Sequence, residues 1–305
     1  MRDTFVRTLL ELARTDDRIE LMTGDLGFGV LKPFWETLPD QFTNCGIAEQ
    51  NMVSAAAGMA LSGKIVFVYS IGNFPTLRCL EHVRNDCAHH HANVKIICVG
   101  EGFSYGTLGM SHAATEDISV MRALPDVAVF SPGDAAEAEA VTRAMVDYQG
   151  TCYLRLSRGG DMAIPHEEAF VIGKAMKVKD GSRAVIFSTG SIYEEVDRAV
   201  KQLKEAGIDP AVYTFPTIKP LDVDQIRECT KQFEVIVTVE EHNLSGGFGS
   251  AVAEVMAENP AKARLLRVGL DDIYVNVAGS TAYLRKRFGI CAEAIADRIK
   301  ASLNG

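Results

Sequence analysis

Apolar runs of strand length alternate with longer helical patterns along almost the whole chain, and this alternation constrains the fold more than any other feature. ELMTG, FTNCG, KIVFVYSI, VKIICVGE, VAVFSP and CYLRLSR are separated by segments such as TLRCLEHVRNDCAHHH and DAAEAEAVTRAMVDY. Continuous apolar strands set between helices imply a parallel sheet covered on both faces. From Gly159 the pattern gives way to GGDMAIPHEEAFVIGKAMKVKDGS, a Gly/Pro-punctuated, mixed-charge stretch suited to a connection between domains. A second alternating block follows, with strands AVIFSTG, AVYTF, EVIVTVEE and ARLLRVG between helical patterns such as SIYEEVDRAVKQLKEAG and GGFGSAVAEVMAEN. The expectation is an α/β protein of two doubly wound domains, residues 1–170 and 171–305.

Composition closes other routes. With 47% hydrophobic and 23% charged residues the chain is an ordinary globular one. A net charge of −9 and no Lys/Arg-rich stripe leave nothing to displace counterions from phosphates, so no nucleic-acid partner is expected. The seven cysteines are scattered and form no CxxC pair, which reads as reduced, packed thiols in a cytoplasm rather than disulfides or zinc ligands. MRDTFVRTLLELART is charged and amphipathic, unlike a signal peptide, and no apolar run reaches the roughly 18 residues that a membrane span needs.

In open parallel sheets, ligands gather beyond the carboxyl ends of the strands, which selects a few turns. Asp25 follows ELMTG, Glu49 follows FTNCG, Phe74 follows VFVYSI, and Gly102 to His112 follow IICVGE. Glu49 stands out, because it opens the small-residue helical run VSAAAGMALSG and no basic residue occurs between Lys32 and Lys64. It reads either as a first-turn acid favoured by the helix dipole or as a functional acid, and Asp25 either as a turn residue or as part of the same edge. His89, His90 and His91, with His82 before them, are expected on a helix, where three consecutive side chains diverge, so no metal site is expected.

The segment NCGIAEQNMVSAAAGMALSGKIVFVYSIGNF resembles the central part of the transketolase family, which includes deoxyxylulose-phosphate synthase and the split, two-subunit transketolases. TGDLG, GFSYGTLGMSHAATEDISVMRALPDVAVFSPGD, YLRLSRG, TFPTIKPLD and TVEEHNLSGGFGSAV carry the resemblance across the chain, but only over that family's pyrimidine-binding and C-terminal domains. The family binds thiamine diphosphate and holds its diphosphate through Mg²⁺ on a GDG motif, and this chain contains no GDG. The resemblance therefore implies a partner subunit that carries GDG and holds the magnesium, in a heterotetramer of two such chains and two partners.

It also implies roles. Glu49 matches the glutamate that hydrogen-bonds N1′ of the cofactor's aminopyrimidine and promotes the imino tautomer that removes the thiazolium proton; desolvation at an apolar helix start suits that task. Phe74 matches the aromatic that stacks on the pyrimidine, and Asp25 the acid of a DL segment near the cofactor. His112 of GMSH matches a histidine that contacts substrate oxygens beside the reactive carbon. Arg158 matches the arginine that binds a sugar phosphate, with Arg155 a second candidate, since a planar guanidinium suits phosphate. His242 looks like a structural residue near the domain interface. Leu108 and Gly100 stand where classical transketolases have an aspartate and a histidine, so two groups that read ketose hydroxyls are missing and an unusual donor is implied. The implied enzyme transfers a two-carbon ketol or related unit from a phosphorylated ketose-like donor to an aldehyde. A decarboxylating synthase-like or 2-oxoacid dehydrogenase β-type subunit and a noncatalytic scaffold are the alternatives.

Overall fold

In the computed structural model, which describes residues 1–159, 162–166, 168–259 and 262–304, the elements run in chain order as follows. The first block is α1 (Arg2–Ala13), β1 (Ile19–Thr23), α2 (Lys32–Thr37), β2 (Phe42–Asn44), α3 (Glu49–Leu61), β3 (Ile65–Ile71), α4 (Leu80–His82), β4 (Val94–Val99), α5 (Asp117–Ala123), β5 (Val127–Phe130), α6 (Ala135–Asp147) and β6 (Thr151–Leu156). The second is β7 (Met176–Lys179), β8 (Ala184–Ser188), α7 (Tyr193–Glu205), β9 (Ala211–Thr214), β10 (Thr217–Lys219), α8 (Val223–Gln232), β11 (Val235–Asn243), α9 (Phe248–Glu258), β12 (Arg264–Leu270), α10 (Thr281–Arg287) and α11 (Ala292–Asn304).

The strands form a seven-stranded sheet in the order β10-β5-β6-β4-β3-β1-β2 and a five-stranded sheet in the order β12-β11-β8-β9-β7. Pairing is parallel throughout except at β10 against β5 and β7 against β9. Every residue of β1, β4, β5, β6 and β8 is buried, as a strand covered on both faces by helices must be. The two antiparallel edges were not expected. β7 lies in the stretch read as a connection, and β10 returns from the second block to the first sheet, so a division at residue 170 assigns it to a segment with which it does not pair. The helical pattern at 76–91 is also shorter than expected. It holds only α4 and a π-helical turn, Val83–Ala88; His89, His90 and His91 lie in the turn beyond, with His91 at φ 51.

Arg155, read from the sequence as a candidate for a substrate phosphate, is fully buried in β6. Its Nε donates to Asp117 Oδ2 at 2.7 Å and its Nη1 to Glu101 Oε2 at 3.3 Å. Its Nη2 donates to the carbonyls of Ala114 at 3.0 Å and Glu241 at 2.9 Å. These donors serve the protein interior and leave Arg158 as the exposed arginine of the pair. Around Arg155 the two sheets are pinned together. Glu101 accepts from the Ser191 amide at 2.9 Å, and Glu241 accepts from the Phe103 amide at 2.7 Å and from Arg285. Burial pushes the Glu101 carboxyl above its ordinary range against the opposing pull of Arg155.

The connection between the sheets is held as well. Asp134 caps α6 through the Glu137 amide and also accepts from the Ile164 amide at 2.7 Å. Glu137 Oε1 meets His166 Nε2 at 2.7 Å and accepts from Thr214 Oγ1 at 2.6 Å. Burial disfavours the charged His166 ring, but its hydrogen bond and charge pairing with Glu137 outweigh this and raise it above the usual histidine value.

Two outcomes follow. Arg155→Met, which strands Asp117 and Glu101 without their cation, should lower unfolding free energy by about 3–5 kcal/mol in urea titration. Because the folded-state pKa of His166 is raised, its contribution is complete below the unfolded value of about 6.5 and is lost as pH rises through the folded value. The urea midpoint should therefore fall over that window in the native protein, with less of a fall in His166→Gln.

Candidate functional site

The carboxyl ends of β1, β2, β3, β4 and β6 meet along one edge of the larger sheet, and the turns that leave them carry the expected residues. After β1, Asp25 adopts a left-handed conformation at φ 56. Asn44, the last residue of β2, fastens this turn to the next: its Oδ1 accepts from the Asp25 and Gly46 amides, each at 3.0 Å, and its Nδ2 donates to Asp25 Oδ1 at 3.1 Å. The chain then enters α3 at Glu49, whose side chain is only 4% exposed. Gly24 backs onto it, since a β-carbon there would lie 3.4 Å from Glu49 Cγ.

Glu49 Oε2 accepts from Arg78 Nη1 at 2.8 Å, and the Arg78 guanidinium carbon lies 4.6 Å from the centroid of the Phe74 ring. Phe74 meets the His112 ring edge-on, 5.3 Å between centroids. His112 lies 6.5 Å from the ring of Tyr105, and the Arg158 guanidinium lies 5.7 Å from that same ring. Asp25, Glu49, Phe74, His112 and Arg158 thus form one row along the sheet edge, with Arg78 and Tyr105 between them. Asn73 Nδ2 donates to the Ala113 carbonyl at 3.0 Å and ties the Phe74 turn to the His112 segment. Arg158 also lines a cleft of about 280 Å³ between the sheets, with the cations Arg198 and Arg285 and the acids Glu194 and Glu195.

Arg78 and Tyr105 escaped the sequence reading. The signal for Tyr105 was indirect. Gly100 sits at φ 107, and a β-carbon on it would lie 2.4 Å from Tyr105 Cδ2, so the residue that departs from the family pattern is also the one that gives the tyrosine ring its room. Leu108, the other departure, is 56% exposed beside the row. Phe28, Ile47, Leu77 and Met110 are exposed around the same edge.

Chemically the row offers a nearly buried carboxylate, an aromatic ring carrying a flat cation, an imidazole and a guanidinium. The carboxylate and the ring already hold a planar, nitrogen-rich cation between them, so they suit a flat heteroaromatic base. His242 lies elsewhere, fully buried, with Nδ1 2.7 Å from the Asn243 carbonyl; burial pushes it down to about 4, which keeps the ring neutral. Among the described residues no group of three or more His, Cys, Asp or Glu side chains is placed to hold a metal ion. Nor is any helix among them long and apolar enough to cross a membrane.

Residues 1–160 match the family model described as transketolase, pyrimidine binding domain, and residues 173–295 match transketolase, C-terminal domain. A putative transketolase C-terminal section of Methanocaldococcus jannaschii is 38% identical over 303 residues, 98% of this chain and 95% of its own. One of the subunits of an apulose-4-phosphate transketolase from Phocaeicola vulgatus is 38% identical over 297 residues, covering 96% of this chain and 94% of its own. A solved structure described as a split-gene transketolase, inactive beta4 tetramer, superposes with a TM-score of 0.88 at 31% identity, over 99% of this chain and 97% of that one.

The contact between Gly100 and Tyr105 gives a direct test of how the row is built. Gly100→Ala adds a β-carbon at a left-handed φ and against an aromatic ring, and should cost about 1–3 kcal/mol in chemical denaturation. In the same protein Tyr105→Ala should recover part of that loss.

Proposed function

The chain belongs to the transketolase family, whose pyrimidine-binding and C-terminal domains it spans, and from that premise we propose that it is the C-terminal subunit of a split, thiamine-diphosphate-dependent ketol transferase. The supporting observation is the row of Glu49, Phe74 and His112 on one sheet edge, in a chain with no GDG motif to grip a diphosphate. When bound, thiamine diphosphate supplies a nucleophilic thiazolium carbon.

The residues divide the remaining work. Glu49 shares a proton with the pyrimidine nitrogen N1′, a task that its burial and its place at the start of α3 suit. Phe74 offers its face to the ring, and Asp25 stands at the neighbouring turn. His112 holds the donor's oxygens beside the reacting carbon, and Arg158 takes the donor's phosphate; Arg155 instead stays in the interior. Leu108 and Gly100 remove two polar readers of ketose hydroxyls, so the donor is a phosphorylated ketose-like compound of altered substitution; the name of the Phocaeicola relative carries apulose 4-phosphate.

The diphosphate and its Mg²⁺ belong to a GDG-bearing partner subunit, in a heterotetramer of two chains of each kind working in the cytoplasm. The exposed Phe28, Ile47, Leu77, Leu108 and Met110 around the site form the apolar rim on which that partner would seat.

Purified alone, the chain should show no thiamine-diphosphate-dependent turnover, and addition of the partner should create it. In the reconstituted enzyme Glu49→Gln and Glu49→Ala should lower kcat by roughly a hundredfold to ten-thousandfold. Robust turnover by the lone chain, or full activity in both variants, would sink the reading.

A further inference from the structure

Arg78 lies between the two groups that the preceding reading assigns to the aminopyrimidine. Its guanidinium donates to Glu49 Oε2 at 2.8 Å and lies 4.6 Å from the centroid of Phe74, so a single planar cation is both hydrogen-bonded to the acid and laid against the ring. A 4-aminopyrimidine protonated at N1′ is also planar and cationic, with one N–H donor at that nitrogen. We propose that Arg78 is an internal occupant of the pyrimidine half-site, an autoinhibitory contact that the cofactor must displace. The proposal rests on the assignment of Glu49 and Phe74 to the cofactor.

Three features give the contact its purpose. Glu49 is 4% exposed, and an unpaired carboxylate at that depth is costly, so the subunit without cofactor needs a counter-ion there. Arg78 is 46% exposed, so its head can leave for water while its stem stays on the surface. Its backbone is fixed beside α3, because Gln50 Nε2 donates to the Arg78 carbonyl at 3.2 Å, and the guanidinium therefore returns to the same place. No other Lys, Arg or His ion-pairs with Glu49 among the described residues.

A site that is partly self-occupied binds its ligand more weakly by the fraction of time it is open. Thiamine, which carries the pyrimidine but no diphosphate, isolates this half of the site from any partner. Calorimetric titration of thiamine into the full-length chain should show Arg78→Ala binding at least roughly tenfold more tightly than the native protein. The double variant Glu49→Ala/Arg78→Ala should lose that gain, which places the added affinity at Glu49. Arg78→Gln, which keeps most of the stem, should behave like Arg78→Ala and stands in for it if the alanine variant folds poorly. Binding by the single variants that is equal to or weaker than native, or thiamine binding to none of the proteins, would overturn the proposal. Turnover of the reconstituted enzyme and its loss in the Glu49 variants judge the functional assignment separately.

Discussion

The buried guanidinium of Arg155 is the interaction on which the remaining geometry depends. It stands in β6 of the larger sheet, yet one of its acceptors is the Glu241 carbonyl of β11 in the smaller one. Its other partners, Glu101, Ala114 and Asp117, bracket the irregular segment that carries Tyr105 and His112. An isolated charge could not be placed there, and this one is acceptable only because carboxylates and carbonyls surround it. Those same partners have second tasks: Glu101 holds the Ser191 amide, and Tyr153 Oη donates to Asp117 Oδ2 at 2.6 Å. The segment that presents His112 is therefore anchored at both ends by a network whose members cannot move singly.

The same segment shows how a loop without regular structure acquires one shape. Gly100 turns the chain out of β4 in a left-handed conformation, and Tyr105 folds back over the space that a side chain at 100 would need. The ring then lies within reach of both His112 and Arg158. The glycine that stands where the resemblance implies a polar reader thus also makes the room that an aromatic wall occupies, and the two residues have to be read together.

Much of this was legible in the sequence, for physical reasons that also explain what was not. Strands such as VKIICV announce themselves because a parallel strand covered on both faces needs an unbroken apolar run. β7 and β10 have four and three residues and pair antiparallel at the edges, so neither run nor alternation is long enough to register. The sequence put Arg158 first but kept Arg155 beside it, because what removes Arg155 is the two-residue period of a strand. Arg155 points with Tyr153 toward Asp117, 38 residues away, whereas Arg158 lies beyond the strand's end. Arg78 was missed for a related reason: its partner Glu49 lies 29 residues away, and only the fold shows that the turn after β3 brings the two together.

The position of Glu49 also bears on why the proposed site is only half of one. The start of a helix is a natural seat for an anion, because its free amides and the helix dipole favour negative charge. In α3 that seat is taken by the chain's own acid, which belongs to the first turn and lies turned inward. A diphosphate brought to the same place would meet a carboxylate rather than open amides. The edge is therefore chemically suited to a flat nitrogen heterocycle that donates to a carboxylate and unsuited to a diphosphate. On the proposed assignment this is the physical ground for dividing the cofactor between two subunits: the group that activates the pyrimidine excludes the phosphates from its own helix.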